Sequence, residues 1–529
     1  MTPAAVIILA AGEGTRMRSA TPKPLFELAG RTLLGHAVTA ALGLNPELLV
    51  VVVRHCREQV AAHALELAPG AIIADQDEIP GTGRAAQCAL AALDQATQGS
   101  AGQAAAQGPI VVMAADTPLL DAGTLRQLVR VHAEDRNAAT VLTAGLQDPT
   151  GYGRIVRDPA TGLVREIVEE RDATPEQRAI EEVNSSTYVF DAGTLRDAIA
   201  RLTQDNDQHE LYLTDVIAHA HRAQARTAAI MVEDPWTVQG INDRAQLAAV
   251  GRELNRRLTE QAMLDGVTIW DPATTWLDCD IRLDQDVTLL PGTRIKTGCV
   301  IEHGAVVGPG ATLEDTHVGP GARVNRVVAI GADIGPDANV GPFTYLRPGA
   351  TLRAGSKAGA YTEIKNATIG EGAKVPHLSY VGDAEIGEGT NIGASTVFAN
   401  YDGVHKHHTT VGPHARIGSD TMLVAPVTVG AGAYTAAGSV IKDDVPPGAL
   451  ALSQPRQTVI EGWVARKRAG TPAAEAAARA TRETAAPGSV TGITENEPVG
   501  PQPPNPSDDA PHRASGSGGP PSGAPGATS

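Results

Sequence analysis

The sequence predicts an α/β doubly wound, Rossmann-like domain, followed by an all-β coil of hexapeptide repeats and a disordered C-terminal tail. Three observations support this fold class. Strand-like apolar runs alternate with helical patterns in the first half of the chain. From about residue 289 to about residue 445, aliphatic residues recur at every sixth position. Beyond about residue 470, Ala, Pro, Gly and Ser dominate, and such a composition buries too little apolar surface to fold.

The composition limits the number of domains and the kinds of partner. The chain has 529 residues, which is too long for one core, so two or three domains are expected. A formal net charge of −17 and an aromatic content of 3% argue against nucleic acid or an anionic membrane as a partner. The four cysteines form no CxxC pair, and no apolar run approaches the roughly 20 residues of a membrane span. These features predict a cytoplasmic protein without a membrane segment.

The first domain opens with a fully apolar strand at residues 4–9, as in a sheet that is covered on both faces. Further strands are predicted at 48–53 and 110–113. Segments rich in Ala and Leu around 58–68 and 84–96 predict helices between them. This alternation of strand and helix is typical of a doubly wound parallel sheet.

A Gly-rich turn after the first strand predicts a phosphate-binding site. It contains Gly12 and Gly14, and the bare backbone N–H groups of such a turn bind phosphate oxygens. Arg16 and Lys23 follow and supply fixed positive charge suited to a triphosphate. Asp116 follows a later strand, where a carboxylate is expected to bind Mg²⁺. No GxxxxGK[ST] motif is present in the sequence, which disfavours a P-loop kinase or ATPase.

The repeat region contains four registers of aliphatic residues. A period of six fits neither an α-helix nor an ordinary strand, but it fits a chain that turns a corner every six residues. Each aliphatic side chain is then directed inward, and stacked turns bury a continuous apolar column. The registers are Ile295, Ile301, Val307 and Leu313; Ile334, Val340, Leu346 and Leu352; Ile369, Val375 and Val381; and Val411, Ile417, Leu423 and Val429.

The run from Leu9 to Met17, with Pro22-Lys23-Pro24-Leu25 after it, resembles the nucleotidyltransferases that join an NTP to a sugar 1-phosphate. The similarity spans nearly all of residues 4–245. It implies that Arg16 and Lys23 are catalytic, that UTP is the nucleotide, and that Asp116 and Asn242 bind Mg²⁺. The implied contacts with UTP or UDP-N-acetylglucosamine are Leu9, Ala10, Ala11, Gly12, Gly14, Lys23, Gln76, Gly81, Thr82, Ala114, Ala115, Asp116, Gly153, Glu169, Asn184 and Asn242.

The repeat region resembles the hexapeptide-repeat left-handed parallel β-helix, on which acyltransferases, usually trimers, are built. From about 330 to 463 it is similar to the C-terminal half of the bifunctional N-acetylglucosamine-1-phosphate uridylyltransferase / glucosamine-1-phosphate N-acetyltransferase family. The resemblance implies a homotrimer that acetylates glucosamine 1-phosphate from acetyl-CoA, then couples N-acetylglucosamine 1-phosphate to UTP. The implied amino-sugar-phosphate residues are Arg347, Lys365, Tyr380 and Asn391, and the implied acetyl-CoA residues are Ala394, Asn400, Tyr401, Ser419 and Ala437.

The residue types in the repeat region suit this second reaction. Acetyl transfer to an amine requires a base that takes a proton near neutral pH, and His377 is suited to that role. Arg347 and Lys365 supply fixed cations for the phosphate of the sugar. The run from His405 to His408 is interpreted as a mobile loop that breaks the six-residue period, with a metal site as the alternative.

Three positions depart from the family pattern, and alternative functions remain. Ala115 and Ser186 stand where the family has Gly, and Gln454 stands where it has an Arg near the CoA phosphates, with Arg456 as a substitute. The alternatives are a single-activity sugar-1-phosphate nucleotidyltransferase with a regulatory or oligomerising β-helix, and a non-catalytic scaffold. The expected organisation is a uridylyltransferase domain at 1–244, a linker helix at 245–265, an N-acetyltransferase domain at 266–465 and a disordered tail at 466–529.

Overall fold

The computed structural model describes residues 2–97, 108–453 and 457–485. The chain divides into two compact units, residues 1–454 and 455–529, which are described separately. Gln454 and Arg456, which were predicted to lie near the CoA phosphates, are outside the described residues. Within the described part of the chain, no helix is both long and apolar enough to cross a membrane.

The first part of the larger unit is built on a nine-stranded mixed sheet. Its main path runs in the order β11-β7-β10-β6-β1-β4-β5, with β8 paired to β10 and β9 paired to β8. The strands are β1 Ala5–Leu9, β4 Leu48–Val53, β5 Ile72–Asp75, β6 Ile110–Ala114, β7 Ala139–Gly145, β8 Arg154–Arg157, β9 Val164–Val168, β10 Glu182–Phe190 and β11 Thr227–Met231, and a separate hairpin is formed by β2 Glu27–Leu28 and β3 Arg31–Thr32.

Helices cover both faces of this sheet, so that its central strands are buried on both sides. Helices α1, α2 and α4 contribute to one apolar core, and α3, α6 and α7 contribute to the other. The doubly wound α/β fold that the sequence predicts is therefore confirmed. The helices are α1 Leu33–Leu42, α2 Arg57–Leu67, α3 Thr82–Thr97, α4 Ala122–Glu134, α5 Pro175–Arg178, α6 Ala192–Ile199 and α7 Asp215–Arg222.

Several of these helices begin where a side chain caps the first turn. The Asp121 carboxylate accepts a hydrogen bond from the Thr124 N–H group, and Asp191 accepts one from the Thr194 N–H group. These caps satisfy backbone donors that have no partner inside the helix.

A long helix, α8 Arg244–Leu264, leads from the sheet into the coil. The Asn255 side chain is buried and joins the two parts. Its amide group donates to the Thr275 carbonyl at 2.7 Å and accepts from the Leu277 N–H group at 3.0 Å. The Arg31 guanidinium forms a second link through its ion pair with Asp280. The α/β domain is thus fixed to the first turn of the coil.

The coil is a parallel β-helix with three faces, and each turn hydrogen-bonds to the next. Residues 276 and 294 pair across neighbouring turns, so one turn spans three six-residue repeats. One face is formed by β12 Thr268–Ile269, β15 Thr288–Leu289, β18 Val306–Val307, β21 Arg323–Val324, β24 Asn339–Val340, β27 Lys357–Ala360, β29 Lys374–His377, β31 Asn391–Ile392, β34 Arg416–Ile417, β37 Tyr434–Thr435 and β39 Leu450–Ala451.

The other two faces are joined in one curled sheet, in which β28 and β30 each run around the shared corner. Its strands are β13 Trp276–Leu277, β14 Arg282–Leu283, β16 Arg294–Ile295, β17 Val300–Ile301, β19 Thr312–Glu314, β20 His317–Val318, β22 Val327–Ile330, β23 Asp333–Ile334, β25 Thr344–Leu346, β26 Ala350–Leu352, β28 Glu363–Ile369, β30 Tyr380–Ile386, β32 Val397–Ala399, β33 Thr409–Val411, β35 Met422–Val424, β36 Val427–Val429 and β38 Val440–Ile441.

The aliphatic registers fill the interior of this coil. Ile295, Val340, Val381 and Leu423 are fully buried, as are nearly all other members of their registers. The predicted left-handed β-helix of hexapeptide repeats is thereby confirmed. Small residues occupy the corners because the backbone of one turn approaches the next closely there. A Cβ atom added to Gly335, for example, would lie 2.7 Å from the Leu352 carbonyl oxygen.

The smaller unit corrects one prediction. Residues 466–529 were expected to lack regular structure, but helices α9 Trp463–Lys467 and α10 Pro472–Ala485 lie partly or wholly in that range. The segment from 472 to 485 is rich in Ala, Arg and Glu, which have high helix propensity even when little surface is buried. The tail prediction beyond residue 485 lies outside the described residues.

Candidate active sites

A cavity of about 640 Å³ opens at the C-terminal ends of β1 and β6. This is the edge of a doubly wound sheet at which ligands are expected. The predicted contacts that line it are Leu9, Ala10, Ala11, Gly12, Lys23, Gln76, Gly81, Thr82, Ala114, Ala115 and Asp116. The cavity is also lined by residues for which no role was predicted, namely Glu13, Pro24, Arg54, Glu78, Pro80, Ala85, Ser186 and Glu210.

Two of these additional residues had a recognisable signal in the sequence. Arg54 directly follows β4, and polar residues at the carboxyl ends of parallel strands tend to face the ligand. Glu13 lies inside the Gly-rich turn itself. Ser186 was identified only as a departure from the Gly of the family pattern. Glu210 had no such signal, because it reaches the cavity from a segment that is distant in the chain.

Four polar side chains meet beside the cavity. The Lys23 ammonium group contacts the Asp116 carboxylate and donates to the Asn242 amide oxygen at 3.2 Å. The Arg16 guanidinium donates to the same Asn242 oxygen at 2.8 Å. Arg16 also lines a neighbouring recess of about 480 Å³. The four predicted residues of the catalytic and metal set are therefore neighbours, although only Lys23 and Asp116 line the main cavity.

Gly14 and Gly81 are required by the backbone around this cavity. Gly14 has a φ of 62°, and a Cβ atom there would lie 2.6 Å from the Lys23 Cβ atom. Gly81 has a φ of 113°, and a Cβ atom there would lie 2.6 Å from the Leu211 backbone nitrogen. Both positions therefore exclude larger residues. Gly14, which was predicted to contact the nucleotide, does not line the cavity but allows the Gly-rich turn to form.

The predicted base-contacting residues form a small connected loop. The Gln76 side-chain amide donates to the Ile79 carbonyl at 2.9 Å and to the Gly81 carbonyl at 3.2 Å. The Thr82 hydroxyl accepts from the Leu213 N–H group at 3.1 Å. Gln76 therefore holds the loop that forms one wall of the cavity, and its amide oxygen is left to receive a ligand.

Gly153, Glu169 and Asn184 form a separate cluster outside the lining of the cavity. The Asn184 N–H group donates to the Gly153 carbonyl at 2.8 Å. A Cβ atom at Gly153 would lie 3.5 Å from the Glu169 Oε1 atom and 3.5 Å from the Asn184 Cβ atom. Burial raises the pKa of Glu169, while a hydrogen bond from the Thr214 hydroxyl at 3.3 Å acts in the opposite direction. Ser186 of the adjoining strand connects this cluster to the cavity.

The oxygens of Asp116 and Asn242 fit a magnesium ion. Both approach a single point, because both contact the Lys23 ammonium group. Carboxylate and amide oxygens are the hard ligands that Mg²⁺ prefers, and Mg²⁺ in nucleotide sites commonly has only one or two protein ligands besides phosphate and water. Within residues 2–97, 108–453 and 457–485, no group of three or more His, Cys, Asp or Glu residues is arranged to hold a metal.

A second polar cluster lies at one corner of the β-helix. The Arg347 guanidinium donates to the Glu363 carboxylate at 2.8 Å. Lys365 lies one turn of the coil after Arg347, and it pairs with Gly382 in the following turn. The predicted phosphate-binding cations Arg347 and Lys365 are therefore neighbours, and Tyr380 lies on the same face.

Lys406 joins this cluster and was missed by the sequence analysis. A contact with the Lys406 ammonium group lowers the pKa of Lys365, with Arg347 contributing more weakly. Lys406 lies in the His-rich run whose interpretation concentrated on the histidines. Because the six-residue period is broken there, spacing alone did not place this lysine beside Lys365.

The His-rich run lies in an inserted loop, as predicted. Ala367 pairs with Ala384 in one turn, whereas Ala384 pairs with Thr409 in the next, so the loop adds residues to that turn. Asp402 closes the loop by accepting from the Val404 N–H group at 2.8 Å and the His407 imidazole at 2.7 Å.

Asn400 and Tyr401 lie where the loop leaves the coil. The buried Asn400 amide donates to the Asp383 carboxylate and lies 3.5 Å from the Tyr380 hydroxyl. Tyr401 is exposed, and its hydroxyl donates to the Gly403 carbonyl at 2.7 Å. The structure thus connects Asn400 with Tyr380, while Tyr401 faces solvent.

The remaining predicted residues of this domain stack along another edge of the coil. At this edge the N–H group of one turn donates to a carbonyl of the turn before it. The bonds are Ser395 N–H to the His377 carbonyl at 3.2 Å, Asp420 N–H to the Ala394 carbonyl at 2.7 Å, and Gly438 N–H to the Ser419 carbonyl at 2.7 Å, with Ala437 beside Gly438. His377 is exposed at one end of this row. Asn391 lies on the neighbouring face of the coil, next to Lys374 and Arg416.

Known proteins resemble this chain in both parts. Residues 6–221 match the family of MobA-like NTP transferase domains. The protein named Bifunctional protein GlmU from Streptomyces avermitilis is 55% identical over 481 residues, which cover 91% of this chain and 98% of the relative. That from Streptomyces coelicolor is 54% identical over 481 residues, with 91% and 98% covered. That from Thermobifida fusca is 55% identical over 478 residues, with 90% and 97% covered.

These relatives extend over the nucleotidyltransferase domain, the linker helix and the β-helix together. The sequence-based prediction of a bifunctional enzyme with uridylyltransferase and N-acetyltransferase activities is thereby confirmed. The chain belongs to the family of bifunctional GlmU proteins.

Proposed function

We propose that the two sites perform consecutive steps of UDP-N-acetylglucosamine synthesis. The β-helix transfers the acetyl group of acetyl-CoA to glucosamine 1-phosphate. The α/β domain then couples the resulting N-acetylglucosamine 1-phosphate to UTP. The observation that carries this proposal is the meeting of Lys23, Asp116 and Asn242 beside a nucleotide-sized cavity, in the same chain as a separate cationic cluster at Lys365.

In the α/β domain, a phosphate oxygen of the sugar attacks the α-phosphorus of UTP. The bond between the α-phosphorus and the bridging oxygen breaks, and pyrophosphate leaves. Arg16 and Lys23 neutralise the charge of the triphosphate, and the turn at Gly12 supplies backbone N–H groups. No covalent intermediate is required, so the rate depends on positioning and on charge stabilisation.

Substrate recognition is divided between the cavity and the neighbouring cluster. Gln76, Gly81 and Thr82 form the wall that receives the uracil base. Glu169 and Asn184 hold the hydroxyl and N-acetyl groups of the sugar. A carboxyl group and an amide are suited to this role because a carboxylate accepts hydrogen bonds from sugar hydroxyls, and an amide both donates and accepts.

We assign Asp116 and Asn242 as the protein ligands of Mg²⁺. When bound, Mg²⁺ would supply positive charge to the phosphates of UTP. Lys23 contacts both ligands and so holds their oxygens in one orientation.

In the β-helix, the amino group of glucosamine 1-phosphate attacks the thioester carbonyl of acetyl-CoA. His377 removes the proton that the amine loses and returns it to the sulfur as the carbon–sulfur bond breaks, so that CoA leaves as the thiol. Arg347, Lys365 and Tyr380 bind the phosphate, with Lys406 as an additional cation. Acetyl-CoA lies along the edge formed by Ala394, Ser419 and Ala437, with Asn400 and Tyr401 at its reactive end.

We further propose a homotrimer in the cytoplasm. Within one chain, Asn391 lies on a different face of the coil from Arg347. If a second copy packs against the coil, Asn391 of one copy and Arg347 of the other can contact the same substrate. The rings of Phe343 and Tyr361 stack on the outside of the coil, with 5.3 Å between their centroids. Both side chains are more than half exposed in the single chain, and exposed aromatic residues of this kind support packing against a second copy. All four cysteines are free, which suits a reducing compartment.

A paired assay on one preparation tests this function. One arm measures pyrophosphate release from UTP and N-acetylglucosamine 1-phosphate with Mg²⁺, and the other measures free CoA from acetyl-CoA and glucosamine 1-phosphate. We expect both products. Pyrophosphate without CoA would instead identify a single-activity nucleotidyltransferase with a regulatory or oligomerising β-helix. Light scattering of the same preparation is expected to give three times the mass of the chain.

A further inference from the structure

The side chain of Asn184 is held by hydrogen bonds on both sides of its amide group. Its Nδ2 atom donates to the Tyr188 hydroxyl at 2.8 Å. Its Oδ1 atom accepts from the Ser186 N–H group at 3.1 Å. An Asn side chain has two N–H donors and two acceptor positions on its oxygen. One donor and one acceptor position therefore remain for a ligand, and their directions are set by the two bonds within the protein.

Tyr188 lies in the same strand as Asn184, beyond an irregularity in the pairing. Asn184 pairs with Thr143, but Tyr188 pairs with Val141, so four steps along β10 correspond to two steps along β7. The extra residues form a bulge in which Ser186 has a φ of 60°. The hydrogen bond from Asn184 to Tyr188 spans this bulge, which places Ser186 in the lining of the nucleotide cavity.

The Tyr188 hydroxyl has no access to bulk water. The residue is 2% exposed, and its ring stacks on Phe190 with 5.4 Å between the ring centroids. Burial, and more weakly the Glu169 carboxylate, raise the pKa of Tyr188 above its usual value. The hydroxyl therefore stays neutral at physiological pH and accepts from Asn184.

We propose that Tyr188 is a positioning residue for uridylyl transfer, which orients the Asn184 amide toward the sugar 1-phosphate. This inference rests on the proposed function, in which Asn184 contacts the sugar. Tyr188 itself is beneath the site and touches no substrate. No sequence pattern points to this role, because a tyrosine within a predicted strand is expected to belong to the core.

The test compares Tyr188→Phe with the wild-type enzyme. The substitution removes one oxygen atom and retains the aromatic ring and its stacking on Phe190. We expect the KM for N-acetylglucosamine 1-phosphate to rise about 5- to 10-fold, as for loss of one hydrogen bond. The KM for UTP and the acetyl-transfer rate are expected to stay within about twofold of the wild-type values, since neither depends on Asn184.

Thr187→Val is the matched control. Thr187 lies in the same bulge and is fully buried, and its hydroxyl has no hydrogen-bond partner in the described structure. Replacement by valine therefore removes a hydroxyl from the same strand without breaking a hydrogen bond. We expect its KM for the sugar phosphate to remain unchanged. A rise equal to that of Tyr188→Phe would show a general effect on the bulge and would overturn the proposal.

A double-mutant cycle with Asn184→Ala separates the inference from the function on which it rests. In the Asn184→Ala background, Tyr188→Phe is expected to have no further effect on the KM for the sugar phosphate. An undiminished effect in that background would overturn the role of Tyr188. If Asn184→Ala alone left this KM unchanged, the proposed sugar contact would be wrong instead. Thermal unfolding and acetyl transfer establish that each variant is folded.

Discussion

Asp116 and Asn242 present their side-chain oxygens to the same ammonium group, that of Lys23. Asp116 follows β6, and Asn242 lies directly before α8, so two distant segments meet at this point. The Arg16 guanidinium reaches the Asn242 oxygen from the other side. One amide oxygen thereby connects both predicted catalytic cations, one of which contacts the carboxylate that we propose as a metal ligand.

We expect Asp116→Asn to lower the rate of uridylyl transfer by about 100-fold or more, since it removes the proposed carboxylate ligand of the metal and the ion pair of Lys23. The Mg²⁺ concentration that gives half-maximal activity is expected to rise. Steady-state kinetics over a Mg²⁺ titration measure both effects. Acetyl transfer serves as the internal control, because Asp116 is not part of the β-helix.

An equal loss of both activities in Asp116→Asn would contradict the assignment of two independent sites. An unaltered Mg²⁺ dependence with a lowered rate would instead contradict the assignment of Asp116 as a metal ligand and would restrict Asp116 to orienting Lys23. The comparison with Asn242→Ala distinguishes these cases further, because that variant removes the neutral ligand and leaves the ion pair in place.

Replacing His377 by alanine is expected to reduce kcat for acetyl transfer by about 100- to 10,000-fold, as for loss of a general base. The KM for glucosamine 1-phosphate is expected to change little, since Arg347 and Lys365, and not His377, are the proposed phosphate-binding residues. His303→Ala is a matched control, because His303 is also an exposed histidine at a corner of the coil. Free CoA release measures the reaction. Full activity in His377→Ala would exclude the histidine as the base.

The cation pair of Lys365 and Lys406 predicts a pH dependence of phosphate binding. Lys406 lowers the pKa of Lys365, so Lys365 loses its charge at a lower pH than an ordinary lysine. Binding of a sugar phosphate is therefore expected to weaken as the pH rises through this lowered pKa. In Lys406→Met, binding is expected to be weaker at neutral pH, and its alkaline loss is expected to occur at a higher pH than in the wild type.

The inhibition constant of N-acetylglucosamine 1-phosphate in the acetyl-transfer reaction measures this effect from about pH 7 to about pH 10. This compound carries the phosphate but no titrating amine, so the pH dependence belongs to the enzyme. If the two profiles were parallel, the coupling between Lys365 and Lys406 would not control phosphate binding.

The sequence predicted the parts of the fold that depend on local periodicity. The six-residue spacing of Ile295, Ile301 and Val307 determines which side chains are inside the coil, and the burial of all three follows directly. The apolar run of β1 likewise predicted a strand covered on both faces. The helix Pro472–Ala485 was missed because a composition that cannot form a core was taken to exclude all regular structure.

The sites were predictable only where a motif is contiguous. The Gly-rich turn and Lys23 lie within a short stretch of sequence, whereas Glu210 reaches the cavity through the tertiary fold. Lys406 joins Lys365 because an inserted loop folds back on the coil, and spacing gives no indication of such a return. The role of Tyr188 depends on one hydrogen bond across a bulge, which a strand pattern does not reveal.

Asn255 gives a prediction about the junction between the domains. Its buried amide satisfies the Thr275 carbonyl and the Leu277 N–H group, at 2.7 Å and 3.0 Å. Asn255→Ala leaves both buried backbone groups without that partner, which is expected to cost about 2–4 kcal/mol. The unfolding transition that includes helix α8 and the first turns of the coil should therefore shift to lower temperature in calorimetry.

Arg252→Ala on the exposed side of the same helix is the control and is expected to change stability by less than about 0.5 kcal/mol. Equal shifts for the two variants would show that the buried amide does not hold the domains together.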